Sequence, residues 1–186
     1  MDFLREVSFV PAAQSRRILY HPLDGRYGAL DPKRLVGVMG GLAAAIDTRA
    51  VDYVLGFPVG GAIPAFAFAQ LVDRPLILSM LIRPERPGLI EFEEPHSSVA
   101  TTHYLQGLSP GDAVVIVEDE VTTGRTAINA VRALRRAGVR ITDVGTVLAV
   151  DDPAMWQRMA EEEIALHVGI RLPSDWAARI LGHPAT

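Results

Sequence analysis

The sequence predicts an α/β fold: a central, mostly parallel sheet flanked by helices on both faces. Apolar runs of strand length alternate with segments of helical period along most of the 186 residues, the pattern of repeated strand-helix-strand units. The run Ala113-Val114-Val115-Ile116-Val117 is apolar at every position, as a parallel strand covered on both faces requires. Composition agrees, since 49% hydrophobic and 22% charged residues are ordinary globular usage and the length fits one compact domain, residues 1–186.

Taken in chain order, the first periodic segment is residues 32–46. Leu35, Met39, Leu42 and Ile46 share a helical stripe, and Asp31 followed by Pro32 makes a helix start. Residues 51–55 read as a strand, the glycine-rich turn 56–61 follows, and a short apolar helix is expected at about 63–72. Residues 75–81 form another strand. Residues 83–104 lack clear periodicity and carry prolines and an acidic cluster, so they read as a long flexible loop or loose hairpin, a kind of segment that often closes over a site. After the strand at 113–117, Ala127, Ala130, Val131, Leu134 and Ala137 form an apolar helical stripe that Gly138 ends. Strands at 144–150 and 164–170 enclose a helix at about 153–162, and a last helix is expected near 174–181.

Charge and composition exclude several functions. With 18 basic and 22 acidic residues and a formal net charge of -4, the chain lacks the broad cationic field of a nonspecific nucleic-acid binder. It contains no cysteine, which removes disulfides, thiolate nucleophiles and cysteine-ligated zinc and agrees with a reducing compartment. The start Met1-Asp2-Phe3-Leu4-Arg5-Glu6 is charged where a secretory signal is apolar, and no apolar run reaches the ~20 residues of a membrane span. The expectation is a soluble cytoplasmic protein with neither nucleic acid nor membrane as a partner.

The densest chemical signal is Val114-Val115-Ile116-Val117-Glu118-Asp119-Glu120-Val121-Thr122-Thr123-Gly124-Arg125-Thr126. Adjacent carboxylates at the end of a buried strand are costly unless they meet hydroxyls, a metal ion or a cationic centre. Small and hydroxyl residues then lead into a helix N-terminus, whose free N–H groups suit a phosphate. Both features within one turn fit a sugar phosphate. No G-x-x-x-x-G-K-[ST] occurs and the turn at 56–61 lacks a clean G-x-G-x-x-G, which disfavours a P-loop or dinucleotide fold.

This segment resembles the phosphoribosyl diphosphate (PRPP) signature of type I phosphoribosyltransferases. The resemblance implies that fold with a small hood, here residues 1–31, and a magnesium-dependent transfer of ribose 5-phosphate from PRPP to a nitrogenous acceptor. By resemblance, Glu118 and Asp119 hold the ribose hydroxyls and act in catalysis, and Val121, Thr122, Thr123, Gly124, Arg125 and Thr126 wrap the 5-phosphate. Val59, Gly60 and Gly61, with Arg83 and Arg86, would meet the diphosphate, Arg83 also acting in catalysis; arginine suits that bidentate contact. His96 is a candidate acid/base on the loop. Magnesium would bind mainly through PRPP, with Glu118 and Asp119 as protein ligands, and the family implies a homodimer. Glu120 stands where the family more often has an apolar residue. The chain looks most similar to the orotate branch, yet its diphosphate turn has no lysine and Asp152 stands where a basic residue would hold the orotate carboxylate. The acceptor is left open among orotate, purines and other bases. A non-catalytic PRPP- or nucleotide-sensing regulator on the same fold is the alternative.

Overall fold

The computed structural model describes residues 6–12, 16–26, 28–95 and 101–176. An antiparallel pair, β1 (Ser8–Ala12) and β2 (Arg16–Tyr20), begins it. Helix α1 (Pro32–Ala45) starts where the Asp31 carboxylate accepts from the Lys33 N–H at 3.0 Å, with proline in its first turn. Then come β3 (Tyr53–Gly56), α2 (Ala62–Val72) and the short β4 (Leu76–Leu78). Strands β5 (Ile90–Glu94) and β6 (Thr101–Leu105) pair antiparallel. The second half is β7 (Ala113–Val121), α3 (Arg125–Arg136), β8 (Arg140–Val150), α4 (Pro153–Glu161) and β9 (Leu166–Leu172).

The main sheet has the order β4-β3-β7-β8-β9, and every pairing in it is parallel. Strand β7 is central, and the period of two along it divides the core. Val114 and Ile116 pack with α3, α4 and the β5–β6 hairpin, whereas Val115 and Val117 pack with α1, α2 and the apolar residues Val7, Leu19 and Leu23 of the N-terminal segment. This three-layer architecture is the α/β fold expected from the sequence.

Two elements differ from the sequence reading in ways that bear on the site. Strand β7 continues to Val121, with Glu118 opposite Thr146 and Glu120 opposite Leu148 of β8. The acids therefore lie inside the ladder, because backbone pairing to β8 continues after the apolar run stops. Strand β8 begins at Arg140, and Thr142 at its irregular start donates its hydroxyl to the Val114 carbonyl at 3.2 Å. Of the two readings offered for residues 83–104, the hairpin holds for the described residues, in which β5 and β6 pair: Ile90 and Phe92 alternate inward, and Met80 and Tyr104 exchange backbone bonds of 2.8 and 2.9 Å. Of the helix expected near 174–181, residues 177–181 lie outside the described residues.

Leu134 is fully buried between α3 and the sheet. Leu134→Ala is expected to lower stability by about 2–5 kcal/mol through lost burial and a residual cavity, measured by urea unfolding.

Candidate active site

Three consecutive carboxyl side chains end the central strand. Glu118 is 8% and Asp119 5% exposed. Glu118 Oε1 and Glu120 Oε2 are buried without a hydrogen-bond partner among the described residues. Burial raises the pKa of all three groups. It pushes Glu118 well up, with Asp119 and Glu94 adding repulsion, and pushes Glu120 well up, with Asp119 again adding. Asp119 rises only to about 6, because the Arg26 guanidinium offsets its desolvation. A site holding this much unsatisfied acceptor capacity is built to meet donors from outside the chain.

The glycine turn after β3 backs directly onto these acids. Residues 58 and 59 are joined by a cis peptide bond. A Cβ on Gly60 would overlap the Asp119 carboxylate, and one on Gly61 would lie 2.9 Å from the Phe57 carbonyl and 3.1 Å from Glu118 Oε2. Only hydrogen at these two positions lets the turn lie against the acids. Gly60 and Gly61 are buried while Val59 is 66% exposed.

On the other side, Gly124 takes a left-handed conformation (φ 75°) as the N-cap of α3. The N-cap glycine has no side chain to cap the helix and no acid lies in its first turn; the Arg125 N–H reaches the Thr123 hydroxyl at a long 3.5 Å, and the positive dipole end faces the loop. Thr123 is buried and Thr122 and Thr126 half-buried. Helix α4 supports the loop from behind: a Cβ at Gly124 would come within 3.2 Å of the Met159 sulfur, and Arg158 Nε donates to the Thr123 carbonyl at 3.2 Å.

The N-terminal segment supplies the remaining wall through residues 21–26. Arg26 donates to Asp24 at 2.6 Å and, across 93 positions of sequence, to Asp119 at 2.7 Å. His21 is 1% exposed; its Nδ1 accepts from the Leu23 N–H at 3.3 Å, which leaves the proton of the neutral ring on Nε2, 3.7 Å from Asp24. Burial lowers the His21 pKa to about 4. His21, Asp24 and Asp119 offer three ligand atoms within 4.8 Å of one another, but the guanidinium of Arg26 already supplies the positive charge between the two aspartates.

With this geometry in view, the comparisons are specific. The family model described as "Phosphoribosyl transferase" matches residues 23–182. The chain belongs to this phosphoribosyltransferase family. It is 30% identical over 152 residues to a hypoxanthine/guanine phosphoribosyltransferase of Methanococcus vannielii, covering 80% of this chain and 78% of the relative. To the enzyme of that name from Methanopyrus kandleri it is 29% identical over 129 residues, 69% of each chain. Its fold is similar to that of an adenine phosphoribosyltransferase from Rhodothermus marinus, with a TM-score of 0.73 at 18% identity over 91% of this chain and 96% of that one. These relatives carry purine names, so the similarity to the orotate branch is not carried by them.

Within this phosphoribosyltransferase the structure brings together Glu118, Asp119, Gly60, Gly61 and the start of α3. It does not bring Arg83 to the acids. Arg83 is exposed and ion-paired with Glu91 at 2.9 Å, and Arg86 is exposed as well. His96 lies outside the described residues, as does Tyr27. His103 is a core residue, stacked on Phe92 at 4.9 Å and bonded to Ser79 at 2.8 Å and Glu94 at 3.3 Å. Asp152 caps α4, accepting from the Ala154 N–H at 3.1 Å. A groove of about 750 Å³ between α1 and β9, flanked by Gly37, Gly41 and Gly169, involves none of the expected site residues. Sequence reasoning placed Arg26, Asp24 and His21 in the hood and missed them as site residues; nothing in the mixed apolar and polar stretch around Pro22 marks them locally.

Two outcomes follow from the packed acids. Gly60→Ala is expected to displace the Asp119 carboxylate and lower stability by about 1–3 kcal/mol, read by thermal unfolding, with a larger loss of activity. Carboxyls whose folded pKa lies above the unfolded value stabilise the protein while protonated, and that contribution fades as pH rises. The lowered pKa of His21 acts in the opposite sense and is spent below its ordinary value, so it opposes Asp119 between about pH 4 and 6. Glu118 and Glu120, both raised well above the ordinary carboxylate range by burial, act in the same direction as Asp119. The ligand-free melting temperature is therefore expected to fall as pH rises above the ordinary carboxylate range, and by less in Glu120→Gln.

Proposed function

We propose that this phosphoribosyltransferase transfers ribose 5-phosphate from PRPP to a ring nitrogen of a purine-type base. One observation carries the reading: the buried pair Glu118 and Asp119 lies between a glycine turn that touches both carboxyls and an uncapped helix N-terminus. The hydroxyls of a bound ribose would satisfy the two acids, residues 121–126 would take its 5-phosphate, and Val59, Gly60 and Gly61 would take the diphosphate through backbone N–H groups. The bond from the anomeric carbon to diphosphate oxygen breaks with its electron pair leaving on diphosphate. A bond to the acceptor nitrogen forms, and the displaced nitrogen proton passes to a base. Positive charge develops on the sugar, and the adjacent carboxylates stabilise it. The hypoxanthine/guanine and adenine names of the relatives support a purine over orotate; the comparisons lend no support to the sensing alternative.

Arg83 and Arg86 are proposed to reach the diphosphate by movement of residues 83–89, which precede the core-packed strand β5, and His96 to act as the loop acid/base. Magnesium fits the donor set, since hard carboxylate oxygens with open acceptor positions, Glu118 Oε1 among them, are present. Glu118 and Asp119 would help hold it alongside PRPP, and it would supply neutralisation of the diphosphate charge. Residues 1–186 are taken as one domain with residues 1–31 as hood and 83–104 as a loop segment that closes over the site. A homodimer is supported by Ile63 and Phe66, one turn apart on α2 and 40% and 58% exposed. Among the described residues no helix is long and apolar enough to cross a membrane, and a cytoplasmic location is proposed from the cysteine-free composition.

Asp119→Asn is expected to reduce diphosphate release from PRPP and a purine by about 100-fold or more, measured with saturating magnesium. Unchanged PRPP affinity and turnover in that variant would place the site elsewhere.

A further inference from the structure

Glu120 has no assignment in the transfer reaction, yet it is the third carboxyl in the same buried row. Its Oε2 is sealed from solvent without a partner among the described residues. An apolar side chain at the end of a central strand would avoid that penalty, so the carboxyl requires a reason. Nearby, Glu118 Oε1 and His21 Nε2 are also buried without a hydrogen-bond partner among the described residues, on residues 8% and 1% exposed, His21 Nε2 lying 3.7 Å from Asp24. The charged groups that act on Glu120 come from three directions: Asp119 on its own strand, Asp24 and Arg26 in the connector after β2, and Glu94 at the end of β5.

Position then separates Glu120 from the sugar. In the proposed reaction the glycine turn takes the diphosphate, residues 121–126 the 5-phosphate, and Glu118 with Asp119 the two ribose hydroxyls. The acceptor must approach the anomeric carbon from the side opposite the departing diphosphate, and residues 21–26 form the wall that remains. Glu120 shares its charged neighbours with that wall. In either protonation state a carboxyl offers at least one acceptor oxygen, which a hydrogen-bond donor satisfies; on the acceptor side of the sugar the donors a purine brings are N–H groups. The surround is also one-sided: among the described residues Asp24, Glu94, Asp119 and Glu118 act with Glu120 against one guanidinium, that of Arg26. A carboxylated base would meet repulsion there.

We propose that Glu120 is the specificity-determining residue of the acceptor site, its Oε2 accepting an N–H of an uncarboxylated, amide- or amino-bearing purine, while the acids around it exclude orotate. This rests on the PRPP-transfer reading and goes beyond it by naming the residue that reads the base and the chemistry it reads.

The test compares wild type, Glu120→Gln and Glu120→Leu for diphosphate release with PRPP, magnesium and each of guanine, hypoxanthine, adenine and orotate, alongside calorimetric titration with PRPP. Wild type is expected to use a purine and not orotate. Glu120→Leu should lose about 10- to 100-fold in kcat/KM for the preferred purine, with PRPP affinity within about twofold of wild type. Glu120→Gln, which keeps a carbonyl oxygen, should retain more activity than the leucine variant. Equal kcat/KM for every base in wild type and Glu120→Leu overturns the proposal. So does weakened PRPP binding with base selectivity unchanged, which would give Glu120 to the sugar, or preferred use of orotate by wild type. If Glu120→Leu does not fold, the closer-sized Glu120→Met is read by the same criteria. Absence of PRPP binding in wild type overturns the transfer reading itself, and is told apart by the titration before any base is added.

Discussion

Carboxyl groups at the end of a fully buried strand are the constraint around which this molecule is organised. Strand β7 is central in a parallel sheet, so Glu118 and Asp119 are removed from water by layers on both faces, and half-buried Glu120 keeps one carboxyl oxygen sealed with them. Desolvation alone would drive them neutral. What surrounds them follows from that: Gly60 and Gly61 lie against the acids because they have no side chain, and the N-terminal segment delivers Arg26 to Asp119. The helix that begins at Arg125 presents its positive end within a few residues of the same row. Among the described residues Arg26 is the cation that reaches the acids, and any ligand that meets Asp119 has to share or displace that guanidinium. The site trades folding stability for binding capacity, as functional sites commonly do.

Much of this was legible in the sequence because it was local. The apolar run 113–117, the glycines at 60 and 61, Asp31 before Pro32 and the small residues before α3 each act within a few positions, and pattern reading is strongest there. The strand ends were less legible. Glu118 to Glu120 look like the start of a loop by polarity, and only pairing with β8 shows that the strand runs on. The β5–β6 hairpin was hidden in a stretch rich in prolines and acids, although Ile-Glu-Phe-Glu at 90–93 alternates as a half-buried strand does. The Arg26–Asp119 contact was beyond reach, since no local pattern couples residues 93 positions apart. Likewise the branch of the family rests on the acceptor pocket, which long-range packing assembles, while the PRPP signature is contiguous.

The hood connector changes how the site is understood. His21, Asp24 and Arg26 looked like part of a covering flap, but the structure gives them the electrostatic balance of the acid row. Arg26 is fixed between Asp24 and Asp119, and its charge is what keeps the Asp119 pKa near 6 while its two neighbours rise further. Asp24 in the connector and Asp119 at the end of the central strand are therefore coupled through one side chain, and an alteration in the N-terminal segment is felt at the centre of the sheet.

The methionine sulfur behind Gly124 has a consequence for how this loop can vary. Met155 and Met159 press from α4 against a glycine that has no room for a side chain and a backbone angle that suits none. The curvature of the loop is thus moulded from the protein interior by thioethers, which are deformable and carry no charge. A side chain at position 124 would have to push these thioethers back by a few tenths of an ångström and would still bear the strain of a left-handed backbone, so the shape of the loop is tied to helix α4 across 35 residues of chain.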